Sequence, residues 1–180
     1  KWIIDSAKDG TLKKEELDKA VENILRLVQR YENNPKGTAV DWEAHNALAA
    51  EIAEDCAVLL KNDGILPLGK SERLFVVGDL FEKMRYQGAG SSMINPTYLS
   101  TPKTAFDENK IAYEFCRGYA ENNLEPDEKL ISEAITKAKG YDSVLVFAGL
   151  TDYVESEGAD RENMKLPANQ LALIDALIKT

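Results

Sequence analysis

Leu74-Phe75-Val76-Val77-Gly78-Asp79 is a run of four apolar residues that ends on a glycine and an acid. No polar residue interrupts it, so it does not alternate as a half-exposed strand would. It reads as a short parallel strand buried on both faces. Ser143-Val144-Leu145-Val146-Phe147-Ala148-Gly149 repeats the pattern, with a strand over 143–148, and Ile111 to Cys116 gives a third. Helical periods lie between and after them. Tyr98 to Glu108 is one candidate. Pro126 to Lys139 is a stronger one, with Leu130, Ile131, Ala134, Ile135 and Ala138 turned inward. Pro167 opens a last helix at its first turn, followed by Leu171, Ile174, Leu177 and Ile178 on its apolar side. Strands alternating with helices predict an α/β fold, a layered α/β/α sandwich on a mainly parallel sheet with right-handed crossovers. Three strands make a narrow sheet whose edge is expected to need cover.

Upstream the period changes. Leu12 to Tyr31 reads as a helix with Leu17, Val21, Ile24, Leu25 and Val28 on one face. Glu32-Asn33-Asn34-Pro35-Lys36-Gly37-Thr38 stops it with turn formers and is the best linker candidate. A second helix is expected from Trp42 to Lys61, N-capped by Asp41, with Leu48, Ile52, Cys56 and Leu59 along one side. The organisation this predicts is a helical segment over 1–31, a linker over 32–40 and a sandwich domain over 41–180. The chain opens on Lys1-Trp2-Ile3 and stops at Leu177-Ile178-Lys179-Thr180 in mid-pattern, so both ends are expected to be cut.

The 180 residues are 44% apolar and 29% charged, a composition that forms a core. The net charge is -9, which repels phosphate backbones and anionic headgroups and sets aside nucleic acid and membrane surfaces as partners. Cys56 and Cys116 each sit within an apolar segment and are expected to be buried free thiols. His45 is the one histidine, which leaves little for a zinc site or a Ser-His-Asp triad.

Two segments carry chemistry. The first is Glu155-Ser156-Glu157-Gly158-Ala159-Asp160-Arg161, directly after the 143–148 strand, where ligand sites of open α/β sheets lie. It is either a solvated acidic loop or an acid/base site. A general acid needs a carboxyl group whose pKa is raised by burial or by a neighbouring negative charge. Glu155 and Glu157 are spaced to point to one side of an extended segment, where mutual repulsion would raise one of them. Asp160 and Arg161 are expected to pair internally or with other loops, fixing the turn. The second segment is Gln87-Gly88-Ala89-Gly90-Ser91-Ser92. It is a poor dinucleotide fingerprint, because Leu80 to Tyr86 intervene after the strand and no third glycine follows. It is either a plain turn or a loop whose backbone approaches a polar ligand, with Ser91 and Ser92 suited to sugar hydroxyls.

These segments, in their order, resemble the family-three glycoside hydrolases of the β-glucosidase and β-xylosidase type. The matching pieces are Leu12 to Leu27, Asn46 to Glu51, Ala57 to Leu68, Val76-Val77-Gly78, Gln87 to Ser92 with Asn95-Pro96, Glu155 to Arg161, and Leu166-Pro167 with Gln170. Leu59-Leu60-Lys61-Asn62-Asp63-Gly64-Ile65-Leu66-Pro67-Leu68 is a highly specific element among them. The resemblance implies an amino-terminal (β/α)8 barrel carrying an aspartate nucleophile, whose last helical part is Lys1 to Tyr31. It implies that 41–180 is the first portion of the following sandwich domain. By the same resemblance Glu157 is the acid/base glutamate, with Glu155 as the alternate, and Ser91 is the loop serine that reaches the sugar. No metal or organic cofactor is implied. The barrel's nucleophile motif has no match here, so the chain alone is expected to be inactive on a β-glycoside and to self-associate through uncovered surface. The competing expectation is a module that holds a sugar or a partner chain without chemistry.

Overall fold

The computed structural model describes every residue except Lys36 and Thr38, so those two positions of the expected linker lie outside the described residues. The chain divides into two units, Lys1–Lys61 and Asn62–Thr180.

Among the described residues, the first unit holds three helices: α1 (Trp2–Lys8), α2 (Lys14–Asn33) and α3 (Trp42–Asp55). Helix α1 was not anticipated from the sequence. The expected apolar stripe of α2 is present, yet Val21, Ile24, Leu25 and Val28 are all exposed. Asp41 caps α3 as expected, its carboxylate accepting the Ala44 N–H at 3.0 Å. Helix α3 stops at Asp55 rather than running to Lys61. Leu59 and Leu60, beyond its end, are exposed. Cys56 therefore lies exposed at the helix end, against the expectation of a buried thiol, whereas Cys116 is buried.

The second unit is built on three parallel strands: β1 (Leu74–Val77), β2 (Tyr113–Cys116) and β3 (Ser143–Val146). Their order is β2-β1-β3, which puts the most apolar strand in the centre. Leu74 is level with Tyr113 and Ser143, and Val77 with Cys116 and Val146. Phe75, Val76 and Val77 are wholly buried, as an unbroken apolar run requires. Phe75, Val77 and Cys116 pack with Ile131, Ala134 and Ala138 of α5 (Glu128–Ala138) and Leu173 of α6 (Ala168–Ile178). A second cluster centres on Phe81, whose ring meets those of Phe106, Tyr113, Phe115 and Phe147 at 5.0 to 5.5 Å. Phe106 comes from α4 (Pro102–Glu108), a helix closed at its start by a Thr101–Thr104 capping box. The sandwich is thus an α/β structure with helices packed on its sheet.

Beyond β1 the chain turns sharply at Gly78, with φ 121°. A Cβ there would come within 3.0 Å of the Phe147 carbonyl carbon, so only glycine lets the β1 and β3 exits run this close. The loops that carry the candidate site start from these adjacent exits.

Candidate functional site

Two loops meet beyond the carboxyl ends of β1 and β3. The strand order reverses at this point, since β1 leads to β2 on one side and the chain returns to β3 on the other. Crevices of this kind are where open α/β sheets bind ligands.

The loop after β1 runs through a short helical turn at Gly90–Ser92. The loop after β3 makes a helical turn at Thr151, where the Val154 and Glu155 amides both donate to the Thr151 carbonyl. It then folds into a tight hairpin in which Ser156 and Ala159 exchange two backbone hydrogen bonds, at 2.8 and 3.0 Å. Glu157 and Gly158 form the tip, with Gly158 at φ 82° as a turn of this kind requires.

The tip reaches the other loop. The Ser91 hydroxyl donates to Glu157 Oε1 at 2.8 Å, and the Ser91 backbone N–H donates to Glu157 Oε2. Both oxygens of one carboxylate are held by one residue. Gly90 makes this possible: its φ is 85°, and a Cβ on it would fall within 2.6 Å of the Glu157 Cβ.

The sequence expectation about charge is corrected here. The Ser91 amide and hydroxyl stabilise the ionised form and hold the Glu157 carboxyl below the usual glutamate range. Glu155 does not raise it. The turn at Thr151 breaks the extended geometry that would have aligned the two side chains, and Glu155 faces Arg161 instead, at 3.6 Å. Asp160 does not pair with the Arg161 side chain; its carboxylate accepts the Arg161 backbone N–H at 2.8 Å. Ser92 turns back toward the Ala89 carbonyl at 3.5 Å and does not touch Glu157.

Several residues that build the site were given no role from the sequence. Arg85 on the first loop pairs with Asp152 on the second at 3.0 Å. Gln170 clasps both backbone groups of Gly149, accepting its N–H at 2.9 Å and donating to its carbonyl at 2.8 Å. Tyr119 donates to the Phe147 carbonyl at 2.7 Å, and burial pushes its hydroxyl up to about 12. Asp79, directly after β1, is buried among Arg117 at 2.8 Å, the Glu121 N–H at 3.0 Å and Lys83 at 3.6 Å. The signal for Asp79 and Gln170 was position: a polar residue at a strand exit or a helix start. Among the described residues, no group of three or more His, Cys, Asp or Glu side chains is placed to hold a metal ion, and no helix is long and apolar enough to cross a membrane.

The glycosyl hydrolase family 3 C-terminal domain matches residues 57–180. A thermostable β-glucosidase B of Acetivibrio thermocellus is 41% identical over 98% of this chain and 24% of its own length. An exo-α-(1→6)-L-arabinopyranosidase of Bifidobacterium longum is 36% identical over 96% of this chain and 24% of its own. The crystal structure of a Bifidobacterium adolescentis GH3 β-glucosidase superposes with a TM-score of 0.75 at 35% identity, covering 99% of this chain and 27% of that one. The chain thus spans about a quarter of the length of the curated relatives it matches.

Proposed function

This chain belongs to glycosyl hydrolase family 3, and on that footing we propose that it is part of a retaining β-glycosidase acting on terminal β-D-glycosides. In this reading Glu157 is the general acid/base, Ser91 belongs to the sugar site, and Glu155 is the alternate acid. Gly158, Asp160 and Arg161 shape the loop. The organisation proposed with it is a barrel remnant over 1–31, a linker over 32–40 and a partial sandwich over 41–180. A barrel domain of the longer polypeptide supplies the nucleophile, and the fragment alone is inactive.

The observation that carries this reading is the Ser91–Glu157 clamp: a carboxylate presented at a hairpin tip, beyond the carboxyl end of a parallel sheet, and held by a serine from the neighbouring loop. The clamp keeps Glu157 ionised at rest, so donation requires that it open. A sugar that takes over the Ser91 hydroxyl would release the carboxyl. A nucleophile carboxylate about 5 to 5.5 Å away, the separation of retaining enzymes, would then raise its pKa by like charge. Glu157 would protonate the leaving oxygen and afterwards take a proton from the water that cleaves the glycosyl-enzyme. The test is Glu157→Ala in the full-length enzyme. Turnover is expected to fall about 10²- to 10⁴-fold and azide to restore it on an activated aryl glycoside. Unchanged turnover would transfer the role to Glu155.

A second reading, a carbohydrate-binding or interaction module without chemistry, is favoured by one observation: both oxygens of the Glu157 carboxylate accept from Ser91, contacts that favour its ionised form. Under either reading the exposed Val144 and Val146 on the β3 edge are surface for self-association of the fragment. Light scattering would return a mass above the monomer, and a strictly monomeric mass at high concentration would count against it.

A further inference from the structure

We propose that Arg85 and Asp152 are a positioning pair for Glu157, their ion pair fixing the base of the β3 loop so that its hairpin tip meets Ser91. The catalytic meaning of this pair rests on the acid/base reading of Glu157. The geometry is that of two rungs between two loops. Arg85 lies on the β1 loop ahead of Ser91, and Asp152 lies on the β3 loop ahead of Glu157. The pair joins the loops at 3.0 Å, and the clamp joins them again at the tip. Arg85 is 23% exposed in its side chain, so it is held in place, while Asp152 is 56% exposed and free to be varied without disturbing a core. A tip held only by Ser91 would bear the whole entropic cost of ordering the loop. A second tether at the base removes part of it. Of the other charges near the tip, Glu155 and Arg161 pair with each other at 3.6 Å and the Asp160 carboxylate accepts the Arg161 backbone N–H at 2.8 Å.

The test uses the 180-residue chain with Arg85→Gln, Asp152→Asn and the double variant. The probe is the Ser91 amide, which donates to Glu157, followed by NMR. Its exchange is expected to quicken about two- to fivefold in each variant, the size of a partly exposed ion pair. The double variant is expected to match either single one, as partners in one interaction do. The pH midpoint of the Ser91 amide shift is expected to move up toward the ordinary glutamate value of about 4.3, while the Phe75 and Val76 amides keep their protection. No change at Ser91 in Asp152→Asn, or a double variant equal to the sum of the singles, would overturn the proposal. Turnover plays no part in this measurement, so its failure is separate from a failure of the acid/base reading.

Discussion

Asp79 and Glu157 are both carboxylates beyond the carboxyl ends of one sheet, and they are held in opposite ways. Asp79 is 2% exposed and gathers partners from three places: Arg117 past β2, the Glu121 backbone, and Lys83 further along its own loop. Glu157 is exposed at a hairpin tip and takes both hydrogen bonds from one residue. A buried carboxylate with many partners ties strand exits together. A carboxylate with one partner beside open solvent can exchange that partner for a ligand. The first belongs to the scaffold and the second is suited to work.

The largest expected effect tests the scaffold side. Asp79→Ala removes the buried acceptor of Arg117 and of the Glu121 N–H, while Lys83 keeps Glu121 at 3.3 Å, so the cost is about 1–3 kcal/mol. Thermal unfolding should fall by roughly 3–10 °C. Glu157→Gln should leave the melting temperature within error, because the side chain is solvated. Equal losses in the two variants would erase the distinction.

Gly90→Ala comes next. Its Cβ would collide with Glu157, and the positive φ adds about 1–2 kcal/mol of backbone strain. The expected result is a modest loss of stability together with loss of the Ser91–Glu157 contact, read as fast exchange of the Ser91 amide. Retention of that contact would show that the close approach at Gly90 is not needed.

The smallest effect concerns Asp142, which accepts from the Arg73 backbone at 2.9 Å and from its guanidinium at 2.8 and 3.1 Å, and whose pKa is lowered to about 2. The unfolded value is about 3.9. The folded value is the lower one, so the stabilisation is complete above about pH 4 and is lost as pH falls toward 2. Asp142→Asn should flatten the stability curve in that window, lower its plateau at neutral pH and leave stability near pH 2 unchanged, as read by chemical unfolding across the pH range.

The sheet was legible because β1 and β3 are consecutive apolar runs, although only β1 is buried, at Phe75, Val76 and Val77, and Val144 and Val146 of β3 are exposed at the sheet edge. The acidic hairpin and the glycine loop were legible as segments for a similar reason, since charge and small residues concentrate where the strands end. Their relation was not. Spacing suggested that Glu155 and Glu157 repel each other, but the turn at Thr151 separates them, and Ser91, far away in sequence, meets the tip. Asp79 was given no role because its partners, Arg117 and Glu121, lie far off in sequence, and a lone acid after a strand carries no pattern. Helix α3 was drawn too long because an apolar periodicity says nothing about whether a surface is present to receive it.

The most direct test of the central claim compares two substrates in the Glu157→Gln form of the full-length enzyme. An acid that protonates the leaving oxygen matters most when that oxygen leaves poorly. The rate-determining glycosyl transfer should therefore drop far more on an unactivated disaccharide than on a dinitrophenyl β-glycoside. An equal drop on both, or none on either, would contradict Glu157 as the proton donor.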